Sequence, residues 1–170
     1  MSHAELDEKS LHGMTMQSFA GSALFDRTFD EGMALVEEAA RYLDGRGKEE
    51  ARDLPRKAAM LYASESLRVT TRLMQAASWL LVQRAVHEGD MPASDATDER
   101  YRLGSKEICF GGRAEDAQAL PKALQDLLAR SDSLYRRIAR LEDVLLREAL
   151  PQPGVQAHFA RLEQAFARDA

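Results

Sequence analysis

Several residue types are scarce in this chain of 170 residues, and each scarcity excludes a class of protein. A single cysteine, Cys109, excludes an intrachain disulfide and makes a reducing compartment the simplest setting. Aromatic residues make up only 6% of the chain, whereas alanine and leucine are abundant. This balance favours helices over a β-sandwich or a β-barrel.

Long apolar runs are also missing. The longest charge-free and mainly apolar run extends from Leu73 to Val82, about half the length that a transmembrane helix needs. The first ten residues carry acidic side chains and no apolar core, unlike a secretory signal or a transit peptide. We therefore expect a soluble cytoplasmic protein that does not enter a membrane.

Positive charge is in deficit, because 23 lysines and arginines face 28 aspartates and glutamates, for a net charge of −5. This balance argues against a surface that coats nucleic acid. Apolar residues make up 45% of the chain and charged residues 30%, an ordinary globular composition. The length suits one domain with its own core.

The periodicity divides the chain into a leader, a helical domain and a tail. The predicted boundaries are a mobile leader over 1–17, a domain over 18–150 and an amphipathic tail over 151–170. The first helix should begin near Ser22 and end at Asp44 and Gly45, because glycine stops helices. Its predicted apolar stripe is Phe25, Phe29, Met33, Val36, Ala40 and Leu43.

The second helix should be long and apolar on most of its circumference. With Asp53 as N-cap and Pro55 in the first turn, it should run about 33 residues to Gly89, or roughly 50 Å. Two neighbours in a bundle cover only about half of such a helix, so a second subunit is expected on the surplus face. The predicted dimer contacts are Leu67, Met74, Ala77 and Leu81. The alternative is that the following loop or the C-terminal segment folds over this face.

Residues 89–118 lack a helical pattern and are predicted to form a long loop, with short extended pieces near 101–103 and 108–110 that pack on the helices. The third helix should begin at Leu120 and Pro121 and end before Pro151. Its apolar positions follow a heptad pattern and comprise Leu120, Leu124, Leu127, Ser131, Leu134, Ile138, Leu141 and Leu145. The predicted fold is therefore all-α: an antiparallel three-helix bundle that dimerises through its second helix.

Catalytic and metal-binding patterns are missing from the sequence. The four histidines are scattered, none forms an HExxH motif, and none pairs with Cys109 at zinc-site spacing. Gly45-Arg46-Gly47-Lys48 lacks the spacing of a phosphate-binding loop. We predict no catalytic residues, no metal site and no cofactor.

One stripe of the second helix combines the single tryptophan with arginine and glutamine, a composition typical of interface hot spots. The predicted partner surface is Arg68, Arg72, Gln75, Trp79, Gln83 and Arg84. If it binds a partner, truncating Trp79 should leave thermal stability nearly unchanged. The alternative is that Trp79 caps the core while Arg68 or Arg72 pairs with Glu65 within the helix.

Three segments resemble one known family. They are FDRTFDEGMALVEEAARYLDG at 25–45, LYASESLRVTTRLMQAASWLLVQRAVHEGDM at 61–91 and YRLGSKEICFGG at 101–112. They look like the alphaproteobacterial regulator of CtrA degradation family (RcdA-like proteins), and the resemblance covers about residues 18–150. It is specific in the second helix and loose in the third.

The resemblance implies a non-enzymatic three-helix-bundle homodimer. It also implies an adaptor that works with the ClpXP protease and the response regulator CpdR to promote degradation of cell-cycle regulators such as CtrA, with localisation to a cell pole. The hypothesis is therefore an adaptor that tethers cargo to the protease. Two alternatives remain open: a DNA-associated regulator that uses the arginines of the third helix, and a small-molecule-binding bundle with the loop 89–118 as a lid.

Overall fold

Every regular element in residues 16–112 and 114–149, the part that this computed structural model describes, is helical, and none is a strand. The all-α class is therefore confirmed. The predicted tail, and the leader before residue 16, lie outside the described residues. The helices are α1 (Met16–Ala20), α2 (Ala23–Asp44), α3 (Arg46–Arg52), α4 (Arg56–Glu88), α5 (Lys106–Cys109) and α6 (Lys122–Ala149). No helix among them is long and apolar enough to cross a membrane.

The ends of the long helices follow local capping chemistry. Ser22 caps α2, because its hydroxyl accepts a hydrogen bond from the Phe25 N–H at 3.2 Å. Gly89 ends α4 in the left-handed conformation, with φ 82°. The prediction of Asp53 as the N-cap of α4 is wrong. Pro55 occupies that position, and Asp53 instead ends α3.

The short helix α3 was not expected from the sequence. Gly45 does end α2, but the chain starts a new helix at Arg46 instead of forming a loop. Gly47 is buried in this corner, and a β-carbon there would meet the Tyr62 hydroxyl and lie 2.8 Å from the Tyr42 backbone oxygen. Gly47 is therefore required by close packing and not by a turn.

Helix α4 packs against both α2 and α6, and α2 runs antiparallel to each of them. Ion pairs join Arg130 to Glu38 and Arg137 to Glu31, so residue numbers rise along α6 as they fall along α2. Gly32 of α2 lies against Leu80 of α4.

Consequently α4 and α6 run parallel, and the antiparallel order predicted for the three helices does not hold for this pair. The physical reason is the connecting segment, residues 89–121, which travels back along α4. At its end Asp116 pairs with Lys57, at the beginning of α4, over 2.6 Å.

The predicted heptad positions of α6 are confirmed, since all eight, from Leu120 to Leu145, are buried. The stripe predicted for α2 is rotated. The centre of its buried face is formed by Gly32, Leu35 and Ala39, while Phe29 and Met33 lie at its edge. Because Gly32 has no β-carbon, α2 approaches Leu80 closely, and a β-carbon there would lie 2.8 Å from a Leu80 methyl. The predicted stripe was drawn from apolar side chains, so it did not include Gly32.

Helix α1 lies partly within the segment that was predicted to be a mobile leader. Phe19 in this helix is fully buried. Its ring centroid lies 5.7 Å from that of Phe25 and 6.0 Å from that of Trp79. This aromatic cluster closes one end of the core.

Candidate functional site

The segment after α4 is fastened to the helical core by side chains from two helices. From α6, Glu142 accepts a hydrogen bond from the Leu103 N–H at 2.7 Å, and Tyr135 donates to the Gly104 carbonyl at 2.9 Å. From α4, the Gln75 side-chain oxygen accepts from the Gly104 N–H at 2.8 Å. Backbone groups in a turn that lacks regular structure are thus satisfied by the core.

Two arginines of α4 hold the rest of the segment. Arg72 is buried, and its Nε donates to the Cys109 carbonyl at 2.8 Å while Nη1 donates to the Leu128 carbonyl at 3.2 Å. Its Nη2 forms an ion pair with the Asp132 carboxylate at 2.8 Å. Arg68 donates to the Gly112 carbonyl at 2.7 Å. We call the five side chains that fasten the segment the loop clamp: Arg68, Arg72, Gln75, Tyr135 and Glu142.

The loop clamp changes the interpretation of the stripe that was predicted as a partner surface. Three of its members, Arg68, Arg72 and Gln75, hold the loop. Trp79 is only 2% exposed and belongs to the core, so the structural alternative applies to it. Gln83 is fully buried, and neither its amide oxygen nor its nitrogen has a partner in the described part of the chain.

Only Arg84 of that predicted surface is exposed, where it pairs with Glu88 at 3.0 Å and lies over the Phe29 ring. The stripe is therefore not a free surface. The segment 89–121 contacts Arg68, Arg72 and Gln75, and Phe19 of α1 packs against Trp79. A role for Arg84 in partner binding stays a prediction. Polar side chains at core spacing, such as Arg72 three residues after Val69, were a usable sign that this line faces inward.

Of the two pieces predicted to be extended, 108–110 is wrong, because Ile108 and Cys109 lie in a helix, whereas in 101–103 only Tyr101 is helical and Arg102 is extended. Residues 99–101 form a 3₁₀ turn, and Lys106–Cys109 forms α5. Their predicted packing on the core is confirmed, because Leu103 and Cys109 are buried. Burial raises the pKa of the Cys109 thiol, which stays protonated and packs as a small apolar group.

Three of the arginines of α6 pair with carboxylates. Arg136 pairs with Asp132 at 2.8 Å, and Arg137 pairs with Glu31. Arg130 pairs with both Glu38 and Asp126. These pairs leave little free positive charge on the face of α6 toward α2, which weighs against the DNA-binding alternative.

No group of three or more histidine, cysteine, aspartate or glutamate side chains within residues 16–112 and 114–149 could hold a metal ion.

An apolar stripe of α4 lies outside the loop clamp and is left exposed by residues 16–112 and 114–149. Met60, Leu67, Met74 and Leu81 are 68%, 62%, 63% and 54% exposed. They recur every seven residues, and we call them the apolar face. Of the predicted dimer contacts, Leu67, Met74 and Leu81 belong to this face, and Ala77 beside them is half-buried.

Two threonine hydroxyls on this side of α4 are satisfied within the helix. Thr70 donates to the Ser66 carbonyl and Thr71 to the Leu67 carbonyl, both at 2.9 Å. Their methyl groups are therefore what they offer to a neighbour. The loop 89–118 does not cover the apolar face. Of the two alternatives to a second subunit, this excludes the loop and leaves the C-terminal segment.

A family model described as "Protein of unknown function (DUF1465)" matches residues 16–166. The chain is also similar to RcdA from Caulobacter crescentus CB15, with 51% identity and a TM-score of 0.62 to its crystal structure, over 76% of this chain and 96% of that chain. A search of curated proteins found no match.

These findings define an all-helical protein whose long central helix carries a fastened loop on one side and an apolar face on another. The chain belongs to the DUF1465 family and is RcdA-like.

Truncation of Trp79 tests its place in the core. We expect Trp79→Ala to lower the free energy of unfolding by about 3–5 kcal/mol, because a buried aromatic side chain is lost and a cavity remains. Urea denaturation at one fixed protein concentration measures the loss. The matched control is Arg84→Ala, which removes an exposed side chain of the same helix and should cost less than about 1 kcal/mol. An unchanged midpoint for Trp79→Ala would contradict the core assignment.

Glu142 predicts a pH dependence of stability. Burial raises the pKa of this carboxyl above its ordinary value of 4.5, against the opposing effect of the Leu103 N–H and Lys106. The folded state therefore holds the proton more tightly than the unfolded state, so the stabilisation from protonation is complete below pH 4.5 and is lost as the pH rises through the folded-state pKa.

The variant Glu142→Gln keeps an acceptor for the Leu103 N–H and removes the ionisation. We expect the stability of the wild type relative to this variant to fall as the pH rises above 4.5, measured by denaturation at a series of pH values. Asp30→Asn, at an exposed position of α2, serves as the control. A relative stability that rises with pH would show that the buried carboxylate is stabilised by its ionised form.

Proposed function

We propose that this chain is a non-enzymatic adaptor that promotes ClpXP-dependent degradation of cell-cycle regulators such as CtrA. The observation that carries the proposal is the 51% identity to RcdA, which covers 96% of that chain and 76% of this one. The protein partners would be the ClpX unfoldase, the response regulator CpdR and CtrA-type cargo, in the cytoplasm and at a cell pole.

Tethering explains how such a protein acts without an active site. An adaptor that holds cargo beside the unfoldase raises the effective concentration of the cargo, so each contact can be modest in affinity. This mechanism requires separate surfaces for separate partners. Helix α4 offers two different sides, since the apolar face points away from the loop that Arg72 fastens.

We further propose that the chain forms a homodimer of three-helix bundles through the apolar face of α4. Four large apolar side chains at heptad spacing extend over roughly 32 Å, the arrangement that pairs helices in coiled coils. Small residues between them, such as Ala63 and Thr70, allow a second helix to approach closely. Isolated exposed hydrophobic residues are ordinary, but an aligned row of this length favours an interface.

Charge placed on the apolar face tests the dimer. We expect Leu67→Glu combined with Met74→Glu to convert a particle of twice 19.0 kDa into one of 19.0 kDa, because four buried charges would face each other across the interface. Light scattering over a range of concentrations measures the mass. Ile108→Glu is the matched control, since Ile108 is 48% exposed and lies outside this face. A wild-type mass of 19.0 kDa at every concentration contradicts the dimer.

Reconstituted degradation tests the adaptor. With purified ClpXP, CpdR and CtrA-type cargo, we expect addition of this chain to increase the rate of cargo loss severalfold, because tethering concentrates cargo at the unfoldase. Reactions that omit CpdR or ATP serve as controls, and a cargo with an independent ClpXP signal reports protease integrity. An unchanged rate with every component active would overturn the proposal.

A further inference from the structure

A cavity of about 620 Å³ lies between α4 and α6, beside the loop clamp, with Gly111 and Gly112 at one side. Its volume is in the range of ligand-binding sites. Four cationic side chains and three carboxylates line it, so the lining carries a net charge of +1 in a chain whose net charge is −5. The cations are Arg68, Arg72, Lys122 and Arg136.

All three carboxylates of this cavity are already paired. Glu65 pairs with Arg68 at 3.4 Å. Arg72 and Arg136 share Asp132, each at 2.8 Å. Asp126 pairs at 3.0 Å with Arg130, which is not part of the lining. Lys122 has no ion-pair partner among the residues that the structure describes. Positive charge is therefore in surplus at Lys122 and Arg136.

The position of Lys122 adds to this surplus. It is the first residue of α6, a helix of 28 residues, and the amides of a first turn have no partner within the helix. Their partial positive charge lies at the same end of α6 as Lys122. An anionic group at this position would meet both.

An exposed apolar patch adjoins the cavity through Arg136. Phe110 and Ile108 are 37% and 48% exposed. The Arg136 guanidinium lies 5.2 Å from the centroid of the Phe110 ring, which in turn packs edge-on against Tyr135. The Phe110 ring is therefore held in place, although part of its surface is open to solvent.

We propose that this cavity and its patch bind an acidic peptide segment of a partner protein. Carboxylates of the segment lie against Lys122 and Arg136, and an adjacent bulky apolar side chain packs on Phe110 and Ile108. A small anion would use only the cationic half, whereas a peptide satisfies both halves at once. The inference deepens the proposed adaptor function by naming the chemistry of one bound segment, and it rests on that function for its biological role.

Peptide binding to the full chain tests the proposal directly. The probe is a fluorescein-labelled peptide of twelve residues with six glutamates around one leucine and one phenylalanine, and anisotropy measures its affinity. The comparison peptides replace every glutamate with glutamine, every glutamate with lysine, or both apolar residues with serine. We expect each replacement to weaken binding at least tenfold, and added salt to weaken binding of the acidic peptide.

Variants locate the bound peptide. Lys122→Glu and Phe110→Ala should each weaken binding of the acidic peptide at least fivefold. The charge control is Arg27→Glu, at an exposed position of α2 outside the cavity. Circular dichroism and thermal denaturation confirm that each variant is folded, and Lys122→Gln supplies a milder change at the same position.

The outcomes are distinct. Equal binding of all peptides, or equal losses in Lys122→Glu and Arg27→Glu, overturns the site. Competition by free glutamate as strong as by the whole peptide also overturns the proposal, since it assigns the cavity to small anions. Because this assay needs no protease, its failure leaves the degradation result intact, and a failed degradation assay does not affect the peptide result.

Discussion

The arrangement of the molecule depends on the hydrogen bonds and the ion pair of one buried side chain, Arg72. One guanidinium joins α4 to the returning segment through the Cys109 carbonyl and to α6 through Leu128 and Asp132. Burial lowers the pKa of this arginine, which shows the cost of removing the charge from water. That cost is offset only while all three partners are in place, because a buried charge that loses its partners destabilises a protein strongly. The clamp therefore specifies one position for the segment.

The contacts of Arg72 also determine which side of α4 remains free for association. The loop clamp uses the line through Arg68, Arg72 and Gln75, and the core uses the line through Val69, Leu73 and Leu80. The apolar face is what remains. Its threonine hydroxyls bond to the helix backbone, so a surface that looks partly polar in sequence is apolar in three dimensions. A single helix thus separates folding contacts from the surface that we propose for association.

Helix periodicity was a reliable guide where one helix packs against its neighbours along a continuous stripe. All eight heptad positions of α6 are buried, and the Ser22 cap begins α2 as expected. The same periodicity identified Leu67, Met74 and Leu81 as part of an apolar face that two neighbouring helices could not cover. These features depend on local chemistry, which the sequence contains in full.

Features that depend on distant parts of the chain were not predictable in this way. The side of α4 that carries Trp79 and Arg72 could have faced a partner or the core, and the choice depends on where α1 and the segment after α4 pack. Helix α1 is too short for a periodic signal, and its position comes from contacts of Phe19 with Trp79 and Phe25. The buried face of α2 is rotated from the predicted stripe toward Gly32, because the missing side chain lets α2 approach Leu80 closely.

The parallel direction of α4 and α6 has a consequence for tolerance to insertions and deletions. Parallel neighbours need a connection as long as the helix that it passes, and here the return path begins at Gly89 and reaches Asp116, next to Lys57 at the far end of α4. Surface loops usually accept changes in length. This connection is instead fastened at Gly104, Cys109 and Gly112, so we expect deletions between these points to break the contacts that hold it to α4 and α6.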